Sequence, residues 1–120
     1  MTERDIQNEI QKELSRAETR LLRINSGSAW GGTIVERTAN RIVLSPYRPI
    51  KLAAEGVSDL IGWTTSPRDL IAHFVAIEVK GPRTRTTPEQ IAFIDLVRRA
   101  GGRAGIARSV EEAELIIAGK

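Results

Sequence analysis

The stretch Phe74-Val75-Ala76-Ile77-Glu78-Val79-Lys80-Gly81-Pro82 decides how this chain folds. Its apolar, β-branched run predicts a buried strand, and Gly81-Pro82 ends it because proline has no N–H to give to a ladder. Side chains alternate along a strand, so Glu78 and Lys80, two apart, point to one side of the sheet. Two charges are expensive to hold there unless they are paired, hydrated or bound to a metal. Packing alone does not account for them.

On the C-terminal side, Thr87-Pro88-Glu89-Gln90 opens a helix. Thr87 is its N-cap, Pro88 takes the first helical position, and Gln90 stands third in a capping-box pattern. Gly101-Gly102 stops this helix, and Arg103–Ala107 reads as a short strand. Ser109 caps a last helix with Glu111, Glu112 and Glu114 in its first turns and Val110, Ala113, Ile116 and Ile117 on its inner face. Strand, helix and strand make a right-handed crossover, so 74–79 and 103–107 are expected to run parallel.

On the N-terminal side, Ile6, Ile10, Leu14, Ala17 and Leu21 recur at helical spacing and predict an amphipathic helix over 3–22, with Thr2 as N-cap. Glu3 lies near the middle of the apolar face; a carboxylate in a first turn is also favoured by the helix dipole alone. Asn25 to Gly32 holds too many turn formers for regular structure. Residues 33–37 and 41–44 read as a hairpin ended by Ser45-Pro46-Tyr47-Arg48-Pro49. A turn at Gly56 leads through Asp59 into a strand at Leu60-Ile61, after which the chain returns as the strand that carries Glu78.

The 120 residues predict one domain, 1–120, with an ordinary two-layer core. The absence of cysteine excludes disulfides, thiolate chemistry and cysteine-bound zinc. No signal peptide, membrane segment or organic cofactor is expected. A net charge of +3 permits a polyanionic partner without demanding one. With so few aromatics, a base-stacking platform is not expected, and Trp30 and Trp63 read as packing or interface residues. His73, the single histidine, has no partner in the motif and reads as structural or exposed.

Asp59 and Glu78 are 19 residues apart, enough for one strand to return beside the other. Two convergent carboxylates suit Mg²⁺ or Mn²⁺, which take oxygen ligands and retain waters. Such a metal would activate water and stabilise charge on a phosphate, while Lys80 would orient or deprotonate that water or offset the charge. The plainer readings are a turn aspartate and a solvated Glu-x-Lys edge.

The ordered blocks Gly56-Val57-Ser58-Asp59, Val75 to Lys80, Thr87 to Gln90 and Ala100 to Ala104 resemble the VRR-NUC family of the PD-(D/E)xK nuclease superfamily, in particular its stand-alone virus-type members. The resemblance spans nearly the whole chain and implies an α/β fold with a restriction-endonuclease-like core. That core is a mixed sheet flanked by helices in the order α-β-β-β-α-β-α. It implies Asp59, Glu78 and the Val79 carbonyl as metal ligands, Lys80 as the catalytic lysine, Gln90 as a site residue, and an acidic residue of the first helix. Glu3 matches that last position best, with Glu9 and Glu13 as alternatives. Ser58 replaces the proline of the superfamily's name.

Arg83, Arg85 and Arg103 flank the expected site and are candidates for DNA contacts, whereas Arg98 and Arg99 also suit a helix C-terminus. The implied protein is a homodimeric, Mg²⁺- or Mn²⁺-dependent deoxyribonuclease for branched or junction DNA, viral or bacterial and acting in the host cytoplasm. The alternative is a non-catalytic DNA-binding or structural subunit that keeps the nuclease fold.

Overall fold

In the computed structural model, which describes residues 1–25 and 27–120, the strand around Phe74 is β5 (Ala72–Val79), an interior strand of a four-stranded sheet. The sheet order is β1 (Thr19–Arg23), β4 (Leu60–Thr65), β5 and β6 (Arg103–Ala107). β4 lies antiparallel to β5, and β6 lies parallel to it as the crossover predicts. The crossover helix is α2 (Pro88–Arg99), and α1 (Glu3–Leu14) and α3 (Val110–Ile117) complete this unit.

Alternation along β5 divides the core between the two faces of the sheet. Val75, Ile77 and Val79 pack with Leu21, Leu60 and Ala107 against Ile6, Ile10 and Leu14 of α1 and Ala113 and Ile116 of α3. Ala76 turns the other way and joins Ala104 against Ile94 and Val97 of α2. Glu78 and Lys80 share parity with Ala76, so they belong to the face that α2 covers.

The first helix is shorter than its periodicity predicts. α1 ends at Leu14, Ser15 is already extended, and 19–23 form β1. Leu21 fits helical spacing by coincidence, because alternation in a strand buries the same residue: Thr19 and Leu21 are inside, Arg20 and Leu22 outside. Pairing with β4 overrides the helical propensity of 15–22. Gly62, opposite Leu21, permits that pairing, since a Cβ there would collide with the Arg20 carbonyl.

Residues Asn25–Ala54 form a second unit, a separate two-stranded sheet of β2 (Ser28–Arg37) and β3 (Ile42–Lys51). The expected hairpin strands lie inside these longer ones except for Arg41, which precedes β3. Residues 28–32, expected as loop, and 45–49, expected as its end, pair instead as strand; Ser26 of the expected loop lies outside the described residues. Both strands are edges, so Pro46 and Pro49 need donate nothing outward, and register shifts between Gly32 and Glu36 absorb the irregularity. The order is therefore α-β-β-β-β-β-α-β-α instead of α-β-β-β-α-β-α, with the mixed sheet flanked by helices as expected. No helix of the described residues is long and apolar enough to cross a membrane.

The strand assignment of 19–23 has a direct test. Leu21 is 1% exposed and Leu22 48%. Leu21→Ala should cost about 2–5 kcal/mol of unfolding free energy in a urea melt, and Leu22→Ala under about 1 kcal/mol. A helix continued to residue 22 would also bury Leu21, but it would turn Thr19 away from the apolar stripe, so the deciding variant is Thr19→Ala, which should cost about 1 kcal/mol or more because Thr19 is buried against the Thr64 hydroxyl.

Candidate functional site

The antiparallel register pairs Leu60 with Ile77. One further step sets Asp59 across from Glu78, and both side chains then lie on the face covered by α2. Asp59 is anchored on both sides: its carbonyl accepts the Ile24 N–H at 2.8 Å, and its Oδ2 accepts the Val79 N–H at 2.9 Å. A strand residue turns its N–H and C=O to the same edge, so the Val79 carbonyl faces the side on which Asp59 sits, while its side chain is in the core.

Glu78 is buried, and its two oxygens have different surroundings. Oε1 accepts a 2.6 Å hydrogen bond from Gln90 Nε2 and lies 3.5 Å from the Lys80 ammonium. Oε2 is buried and has no hydrogen-bond partner. Burial pushes the Glu78 carboxyl up to about 7, with the charge of Asp59 acting the same way and Lys80 opposing both. Asp59 is also raised, chiefly by burial; the Val79 N–H opposes this and Glu3 adds to it.

Gln90 serves both purposes that its position suggests. Its Oε1 accepts the Thr87 N–H at 2.9 Å, closing the capping box, while its Nε2 holds Glu78. Glu3 is the acidic residue of α1 that reaches this region: its Oε2 accepts the Gly81 N–H at 3.2 Å. Glu9 and Glu13 are exposed elsewhere on the helix. Ser58 is buried with an unpartnered hydroxyl.

Arg83 and Arg85 are exposed in the loop that follows Lys80. Arg103 is apart from them, at the start of β6 beside Val75, and its guanidinium donates to the Ile117 carbonyl at the end of α3. His73 lies 3.6 Å from the carboxylate of Asp69, which is outside the motif. One residue that the motifs passed over is Arg108. Its guanidinium donates to the Gly81 and Thr84 carbonyls, the latter at 3.1 Å, and so ties down the loop that carries Arg83. The available signal was its place just beyond the C-terminal end of a parallel strand, where α/β sheets collect ligand-binding groups.

The residues fit a divalent cation by the chemistry of their oxygens. A buried carboxylate oxygen without a partner and two carboxyls whose proton affinity burial raises, that of Glu78 further by the charge of Asp59, are what a hard cation would relieve. Asp59, Glu78 and the Val79 carbonyl are the oxygens available to it. Among the described residues no group of three or more His, Cys, Asp or Glu side chains is placed to hold a metal, so the side-chain contribution stops at two carboxylates.

A family model described as the VRR-NUC domain matches residues 1–111, which takes in every residue of this site. No curated protein matches the chain.

Glu78 titrates near 4.5 when unfolded and about 7 when folded, so the folded form holds more protons between those values. Its contribution to metal-free stability is complete below pH 4.5 and is lost as pH rises to about 7. Urea melts in chelator should show that decline, and Glu78→Gln should flatten it; an equal decline in the variant would refute this assignment. For the loop, Arg108→Ala should speed tryptic cleavage after Arg83 and Arg85 about 10-fold or more as local opening becomes easier, with little change in global stability. Unchanged cleavage rates would remove Arg108 from that role.

Proposed function

The chain belongs to the VRR-NUC domain family, and from that premise we propose that it hydrolyses phosphodiester bonds in DNA with the help of Mg²⁺ or Mn²⁺. The observation that carries this reading is the unpartnered, buried Oε2 of Glu78 beside Asp59. When bound, the metal supplies Lewis acidity and lowers the pKa of water. The chain's own residues do the rest. Asp59 and Glu78 present oxygens from adjacent strands, and Gln90 fixes the rotamer of Glu78 from the start of α2. Lys80, held against Glu78, orients the attacking water and offsets negative charge growing on the phosphate as the ester P–O bond breaks. Arg83 and Arg85 contact the DNA backbone. The PD-(D/E)xK chemistry, the preference for branched DNA and the homodimer implied by the resemblance belong to this proposal.

One observation favours a second reading. With only two carboxylates and no larger acidic group among the described residues, the Glu78–Lys80–Gln90 cluster also suits a DNA-binding or structural subunit that keeps the nuclease fold without its activity. Metal binding separates the two.

Nicked, flapped, duplex and four-way DNA incubated with Mg²⁺ or Mn²⁺ should be cleaved, and Lys80→Ala should lose about 10²-fold or more in rate. Asp59→Asn and Glu78→Gln should abolish Mn²⁺ binding in a calorimetric titration. Equal cleavage by the wild type and Lys80→Ala sinks the nuclease assignment, and DNA held equally well in chelator with no Mn²⁺ uptake supports the subunit.

A further inference from the structure

The hairpin unit carries the whole net charge of the protein. Residues 25–54 hold Arg37, Arg41, Arg48 and Lys51 against Glu36, which is +3. The other 14 basic residues (18 less 4) meet 14 acidic ones (15 less 1) and cancel. This same ribbon exposes two aromatic rings, Trp30 at 62% and Tyr47 at 67%. Their centroids are 5.6 Å apart at an interplanar angle of 69°.

The register puts these rings on one face. Trp30 is across from Pro49, and Gly32, two residues on, is across from Tyr47. Lys51, two beyond Pro49, belongs to that face too, whereas Arg48 lies opposite Gly31 on the reverse. Gly32 has φ +148°, and a Cβ there would collide with the Pro46 carbonyl, so no side chain fills the space beside the rings. A groove of about 790 Å³ runs from Trp30 and Tyr47 past Ile34, Ile42 and Leu44. Arg37 and Arg41 stand at the hairpin's end and Lys51 at its base. Strands of this length extend about 33 Å, enough for several nucleotides.

We propose that this hairpin is a nucleic-acid-binding arm for DNA with unpaired bases. A base stacks on Trp30 beside Tyr47, and Arg37, Arg41 and Lys51 meet the phosphates around it. Charge chooses this occupant: a second hairpin would bring +3 against +3, whereas a nucleic-acid strand brings the opposite charge together with flat apolar bases. The proposal deepens the reading above by naming the substrate class; it rests on that reading for DNA as the partner and needs no hydrolysis.

The test uses the full chain in chelator, with fluorescein-labelled oligo-dT and a blunt duplex of equal length. Anisotropy should show tighter binding of oligo-dT. In Trp63→Phe protein, which leaves Trp30 as the only tryptophan, emission should be quenched on binding. Trp30→Ala should weaken oligo-dT binding about 10-fold, and Trp30→Phe, which keeps a ring, should restore most of it. Replacing Arg37, Arg41 and Lys51 with Ser should lower the slope of log affinity against log salt by about 2.

Unchanged affinity in both the Trp30→Ala and the triple-Ser proteins overturns the arm. So does a Trp30-dependent dimer, seen by sedimentation, whose loss leaves DNA binding intact. Cleavage measured separately with Lys80→Ala keeps the two ideas apart. Metal-dependent cleavage without a Trp30 effect removes only the arm, and Trp30-dependent binding without cleavage removes only the catalysis.

Discussion

Two carboxylates facing each other across adjacent strands are the constraint on which this structure turns. The β4–β5 register sets Asp59 against Glu78, and burial prevents water from fully relieving either charge. Everything nearby responds to that. Lys80 lies 3.5 Å from Glu78, Gln90 reaches over from α2, the Val79 N–H engages Asp59, and one carboxylate oxygen stays unsatisfied. A buried ion pair of this kind contributes little to stability by itself, because desolvation offsets most of the attraction. At the end of an otherwise apolar strand, packing alone does not account for it.

The backbone around the site is stitched from several directions. Lys80 N–H donates to the Ala107 carbonyl at 3.0 Å, Gly81 N–H donates to Glu3, and Arg108 takes the Gly81 and Thr84 carbonyls. Residues from α1, β6 and the position just after β6 thus fix the segment from Lys80 to Thr84. Such convergence holds Lys80 in one place and ties the loop of Arg83 and Arg85 beside it. The hairpin unit is the opposite case: its apolar and cationic side chains are largely in water, and a two-stranded sheet has little core of its own.

The central strand, the capped helices and the parallel crossover were legible because their signals are local. Thr87-Pro88-x-Gln90 and Ser109 are capping chemistry, and the run ending in Gly81-Pro82 is a strand with its stop. The spacing left room for Asp59 to return beside Glu78, and the β4–β5 register brings the two together. The signal failed at 15–23, where Leu21 suits both a period of 3.6 and a period of 2, and at 28–32 and 45–49, where glycines and prolines look like loop but pair as edges. In both places the partner strand decides, and a single segment does not contain its partner.

The sequence by itself determined which side of the strand Glu78 and Lys80 share and where the flanking helices begin, because alternation and capping depend on neighbours within a few residues. Tertiary structure alone decided that Gln90 closes its own cap and holds Glu78 at once, and that Glu3 instead of Glu9 or Glu13 comes to Gly81. It also decided that Arg108 clamps the loop while Arg103 turns to the far end of α3. These contacts join residues up to 78 positions apart, and their geometry exists only once the sheet register has set the distances between them.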